Sequence, residues 1–178
     1  MQGRSNMRKE NNRVITVLLT RSHSIFANVI YWISGRGYTH ASLGLDEDDG
    51  YYYSFNFKGF KIEHPGKWKK IYGNSISYKL EVPQEEYDVI RKTILEMEHH
   101  REQYRYSRLS LFLCLLHVPC KIKNRYFCSQ FVAEMLQLSK SIRLEKRASL
   151  YLPNDLPCEL KRQYCLKEII YNPLPCCQ

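Results

Sequence analysis

Tyr126-Phe127-Cys128-Ser129-Gln130-Phe131-Val132-Ala133-Glu134-Met135-Leu136 is the stretch on which the reading of this chain turns. Phe131, Val132, Met135 and Leu136 recur at the spacing of one helical face, so the sequence predicts a buried helix over residues 127–138. A basic loop, Lys121 to Arg125, precedes it and sets its start. Cys128 therefore stands at the N-terminus of an apolar helix.

Upstream, Arg13 to Thr20 (RVITVLLT) is β-branched and apolar and reads as a buried strand. Residues 22–35 carry a helical stripe of Ile25, Phe26, Val29, Ile30 and Ile33, stopped by Gly35 and Gly37. Tyr38 to Leu45 and Tyr51 to Phe57 flank the acidic turn at residues 46–50, which predicts a hairpin. Lys58-Gly59 then opens an excursion through Phe60 and Ile62 to Pro65-Gly66. Ser75 to Val82 alternates as a third strand. Pro83, with Glu85 and Glu86 behind it, predicts a helix that runs to about His100 on Tyr87, Ile90, Ile94 and Met97. Ser107 to His117 reads as a second, mostly buried helix. Near the end, Asn154 or Asp155 is placed to cap one helical turn, and Leu166 to Tyr171 to add an edge strand. The expected architecture is α+β, with one hairpin among the strands. Residues 1–12 are read as a disordered tail and 13–178 as one domain.

The bulk composition narrows the function classes. Of 178 residues, 44% are hydrophobic and 13% aromatic, enough for a packed core. The net charge of +9 is dispersed over three basic stretches, with no zinc-finger spacing and no aromatic RNA-binding signature, so no specific nucleic-acid partner is implied. No apolar stretch follows Met1, and no secretory leader is expected. The longest apolar run, Leu109 to Pro119, is about half the ~20 residues of a spanning helix. Seven cysteines without CxxC spacing argue against a disulfide framework and against structural zinc; reduced thiols in a cytoplasmic protein are the simplest reading. Neither a metal nor a cofactor is called for: Asp46, Asp48 and Asp49 supply only half a calcium loop, and His99-His100 have no matching ligand cluster.

Two segments carry chemistry. Only a thiolate is a good nucleophile, and both a helix N-terminus and a neighbouring imidazolium stabilise it. Cys128 has the first by position. Thr39-His40-Ala41-Ser42-Leu43 offers the second, a histidine in a short apolar strand that could act as base and then acid. Taken alone, each residue is more often part of the core than a catalyst, and spacing does not force them together.

The run from His40 through Tyr53-Ser54-Phe55, Gly59-Phe60 and Glu63, the segment Phe127 to Ala133, and Pro153-Asn154-Asp155-Leu156 resemble the permuted branch of the NlpC-type papain-like superfamily, and more narrowly the YiiX-like proteins and their Firmicute relatives. The resemblance covers residues 13–157. It implies an antiparallel sheet packed against helices in a circularly permuted papain-like fold, a Cys128–His40 pair, and hydrolysis or transfer at an amide or ester carbonyl. Related permuted families, the lecithin retinol acyltransferase-like enzymes among them, work on lipids.

A third residue should orient His40. With His40 near Asn56 in the hairpin, Ser54 and Asn56 share its face and rank about level. Glu63 would orient better as a charge, yet it lies beyond the Gly59 turn and ranks third. Tyr126 and Gln130 flank the nucleophile as substrate-binding candidates, and Ser22 and His23 as residues lining the cleft. The substrate is a peptide, an amide or an acyl lipid. One rival keeps the site but makes it a lipid-directed acyltransferase or hydrolase, with peripheral contact between an anionic membrane and residues 109–118; buried core is the other fate of that stretch. The second rival is a basic binding module whose Cys128 and His40 are structural.

Overall fold

The computed structural model describes residues 11–21, 37–46, 50–64 and 74–172. The helical stripe read at 22–35, Ser22 and His23 with it, lies outside the described residues, as do residues 1–10.

Six strands form one antiparallel sheet: β1 (Asn12–Thr20), β2 (His40–Leu45), β3 (Tyr52–Asn56), β4 (Gly59–Glu63), β5 (Ser75–Pro83) and β8 (Leu166–Tyr171), in the order β4-β3-β2-β1-β5-β8. The helices are α1 (Gln84–His99), α2 (Arg108–Leu115), α3 (Cys128–Leu136) and α4 (Leu156–Lys161). A parallel two-stranded pair, β6 (Arg105–Tyr106) with β7 (Arg125–Tyr126), brackets α2. The arrangement is α+β, as the periodicities imply, and the sheet is antiparallel with helices packed against it.

Side-chain alternation decides which face becomes core. Ile15, Val17 and Leu19 of β1 stand opposite Leu45, Leu43 and Ala41 of β2, and opposite Leu80, Tyr78 and Ile76 of β5. All are buried. Against this face α1 lays Tyr87, Ile90, Ile94 and Met97, and α3 lays Phe131, Val132, Met135 and Leu136, all in one cluster. Ala41 is the small member of its row, and Phe131 packs beside Phe55 and Phe60 at ring separations of 5.3 and 5.9 Å.

Three readings of the sequence need correction. Residues 59–63 are not an excursion but a strand, turned back on β3 through Phe57-Lys58, with Tyr52 opposite Glu63 and Asn56 opposite Gly59. Gly59 is required there: its φ is +94°, and a Cβ would stand 2.4 Å from the Tyr104 carbonyl oxygen. Second, neither Asn154 nor Asp155 caps α4 with its side chain. Asp155 accepts from the backbone N–H of Leu152 (2.9 Å), and Asn154 accepts from that of Tyr38 (2.6 Å). Third, α2 is not mostly buried. Ser110, Leu111 and Cys114 face inward, whereas Leu109, Phe112 and Leu116 just beyond it are each more than half exposed. Asn12, taken with the N-terminal tail in the sequence, is the first residue of β1.

Candidate active site

α3 begins at Cys128, with Phe127 as its N-cap. Most helices are capped by Ser, Thr, Asp or Asn, whose side chain occupies the first free N–H groups. A phenylalanine cannot do so, no side chain caps this helix, and its first turn holds no acid. The backbone donors beside the Cys128 thiol are therefore left for another acceptor, in the positive field of the helix end.

His40 opens β2, and its imidazole has two neighbours. Nε2 lies 3.0 Å from each of the Glu63 carboxylate oxygens. The Cys128 thiol is the second hydrogen-bonding neighbour. Burial by itself pushes the imidazole down. The Glu63 charge, hydrogen bonds to Cys128 and Glu63, and negative charge on Cys128 outweigh it, and His40 titrates well above the ordinary histidine range.

Glu63 reaches His40 from β4, two strands away, and the intervening β3 puts the small Ser54 on that face. The carboxylate is steadied by Ser42, whose hydroxyl donates to Oε2 at 2.7 Å. His40 and Glu63 side chains are only 14% and 12% exposed, so the pair is shielded from water.

Ser54 and Asn56 do not orient the histidine. The Ser54 hydroxyl donates to the Ala41 carbonyl (2.6 Å), and Asn56 accepts from the Lys58 N–H (2.9 Å) within the β3–β4 turn. Each is occupied by the local backbone, as short polar side chains in turns and strands commonly are. Gln130 is fully buried, its amide donating to Glu134 one turn along α3 at 3.1 Å, and the half-buried Tyr126 packs on Phe55 at 5.1 Å. Gln130 is closed off from the surface, whereas Tyr126 keeps part of its surface exposed.

Tyr106 is a neighbour of Cys128 that the sequence reading missed. Burial raises its phenol first, and negative charge on Cys128 raises it further. No local pattern marks it; the β6–β7 pairing, Tyr106 opposite Tyr126, carries it there. The loop at 151–155 holds the two halves of the site. Ser129 Oγ donates to the Tyr151 carbonyl at 2.7 Å, and Asn154 anchors Tyr38, two residues before His40. Asp46, from the acidic turn, is bound to Arg13 through Nε and Nη2, the latter at 3.0 Å. Among the described residues no group of three or more His, Cys, Asp or Glu could hold a metal ion.

Comparison with protein-family models, curated proteins and solved structures finds no match.

Proposed function

We propose that this protein is a cysteine hydrolase of permuted papain-like type, acting on an amide or ester carbonyl. One observation carries the reading: the His40 imidazole is bound by a largely shielded carboxylate and interacts with the Cys128 thiol. Such a nucleophile, base and orienting acid are recognised by geometry, whatever their order in the chain.

In this reading the Cys128 thiolate attacks the carbonyl carbon, and the oxyanion is met by the uncapped N–H groups at the start of α3. His40, as imidazolium, gives its proton to the departing amine or alcohol when the tetrahedral intermediate collapses. Neutral His40 then takes a proton from water. The hydroxide formed attacks the thioester, the acid departs, and Cys128 is left as thiolate beside imidazolium. Glu63 accepts the Nε2 hydrogen bond throughout and Ser42 fixes Glu63, so the ring is held in one orientation and tautomer.

The test is covalent trapping. The full chain, mixed with an activated acyl ester, should gain the acyl mass on the peptide containing Cys128 and release it with time. Cys128→Ser should gain no stable thioester. Acylation spread evenly over several cysteines, unaffected by His40→Ala, would remove the reading.

A further inference from the structure

α2 is apolar on nearly every side, and such helices are normally surrounded. Its inner side is covered: Leu111 and Cys114 pack with Phe127, the residue next to Cys128. Its outer side is open, with Leu109, Phe112 and Leu116 exposed by 57, 58 and 56%, followed by Val118 at 46%. Leu109, Phe112 and Leu116 recur at intervals of three and four, so they form one continuous stripe.

Charge indicates what covers that stripe. From Gln103 to Ala133 the chain has no Asp or Glu, while Arg105, Arg108, Lys121, Lys123 and Arg125 are all present and exposed. Arg108 lies over the Phe57 ring at 5.2 Å, and Lys121 meets Glu134 at 2.7 Å from just outside the stretch. A second copy of this chain would bring like charges together across a two-fold interface. A surface with apolar depth and negative charge matches both features.

We infer that the outer face of α2 and the basic loop after it dock on an anionic lipid bilayer, with the apolar stripe in the acyl boundary and the cations among the headgroups. The face is joined to the candidate site. A cleft of about 370 Å³ lined by Phe57, Tyr106, Arg108, Leu109, Ile122 and Arg125 opens beside the stripe, and Tyr106 at its wall is the neighbour of Cys128. Docking stands on α2 alone. That it also draws an acyl ester or amide from the lipid phase rests on Cys128 being the nucleophile.

Flotation with the full chain tests this, using phosphatidylcholine vesicles with and without phosphatidylserine. Wild type should float with the mixed vesicles, weakly with phosphatidylcholine alone, and lose binding as salt is raised. Phe112→Glu should weaken flotation by about tenfold or more, and Lys123→Glu by roughly fivefold. Cys128→Ser should float like wild type. Both surface positions are exposed, and alkylation of Cys128 in each variant checks that the fold and site are intact. Failure of wild type to float with a reactive Cys128 would overturn docking and leave the hydrolase reading standing. An inert Cys128 in a protein that floats would do the reverse. A wild-type dimer that Phe112→Glu turns into a monomer would assign the stripe to a second copy and overturn docking as well.

Discussion

Glu63 places both carboxylate oxygens 3.0 Å from Nε2 of His40, although 22 residues and a whole intervening strand separate the two positions. The carboxylate belongs to the same sheet as the histidine, so its aim is set by strand register rather than by a loop.

Glu63→Gln should therefore lower acyl-ester turnover on the order of 10²- to 10⁴-fold, because a neutral amide neither stabilises imidazolium nor enforces its tautomer. Asn56→Ala should leave turnover within about threefold, since that side chain serves the Lys58 turn. Steady-state hydrolysis by the two variants checks the assignment. Equal losses in both would return Asn56 to the candidates.

Cys128 should be alkylated by iodoacetamide near neutral pH faster than the other described cysteines, and His40→Ala should remove that advantage. Cys114 is the internal control: burial first, then the Asp155 charge, pushes its thiol up to about 12. Site-resolved mass spectrometry over a pH series reads both. A Cys128 rate that follows Cys114 in wild type would end the nucleophile assignment.

The charge on His40 links stability to pH. Its folded pKa lies above the ordinary 6.5, so the folded chain holds this proton more tightly than the unfolded chain does. The stabilisation is complete below about pH 6.5 and is lost as pH rises through the higher folded value. Asp46 and Glu86 act in the opposite direction. Burial raises each, but Arg13 and the Val14 N–H at Asp46, and Ser139 and Ser141 at Glu86, bring both below their usual range. Their contribution is present above about pH 4 and lost on acidification. Urea midpoints against pH should show wild type and His40→Gln converging on the alkaline side. A constant gap across that range would refute the linkage.

Asn154→Ala should cost about 1–2 kcal/mol of stability, because it leaves the Tyr38 N–H without its acceptor in a partly buried place. It should also slow Cys128 acylation, since the backbone leading into His40 loses its anchor to the 151–155 loop. Asn154→Asp keeps an acceptor and should recover most of both. Chemical denaturation and acylation rate, measured on the same samples, separate a structural loss from a positional one. Gly37→Ala should give a related defect, since its Cβ would stand 2.1 Å from Asn154 Oδ1.

The elements that the chain announced are those whose signal is periodic and local. Phe131, Val132, Met135 and Leu136 report a helical face, and Ile15, Val17 and Leu19 report a strand, because the partner in each case is any apolar surface. The helix start that carries Cys128 was legible for the same reason. The outer side of α2 was not, since Leu109 and Leu111 look alike in composition and only packing separates 57% exposure from 2%.

By itself, then, the sequence determined the hairpin and the other strands, the helix that carries Cys128 and the strand that carries His40, since hydrophobic period and helix-end chemistry act over a few residues. Tertiary structure alone decided that Glu63, rather than Ser54 or Asn56, faces the imidazole, and that Tyr106 comes within electrostatic reach of the thiol. The reason is register. The Gly59 turn sends β4 back along β3, and a carboxylate remote in the chain then reaches over a serine to the histidine, a contact that depends on how strands align and not on what any short stretch of residues prefers.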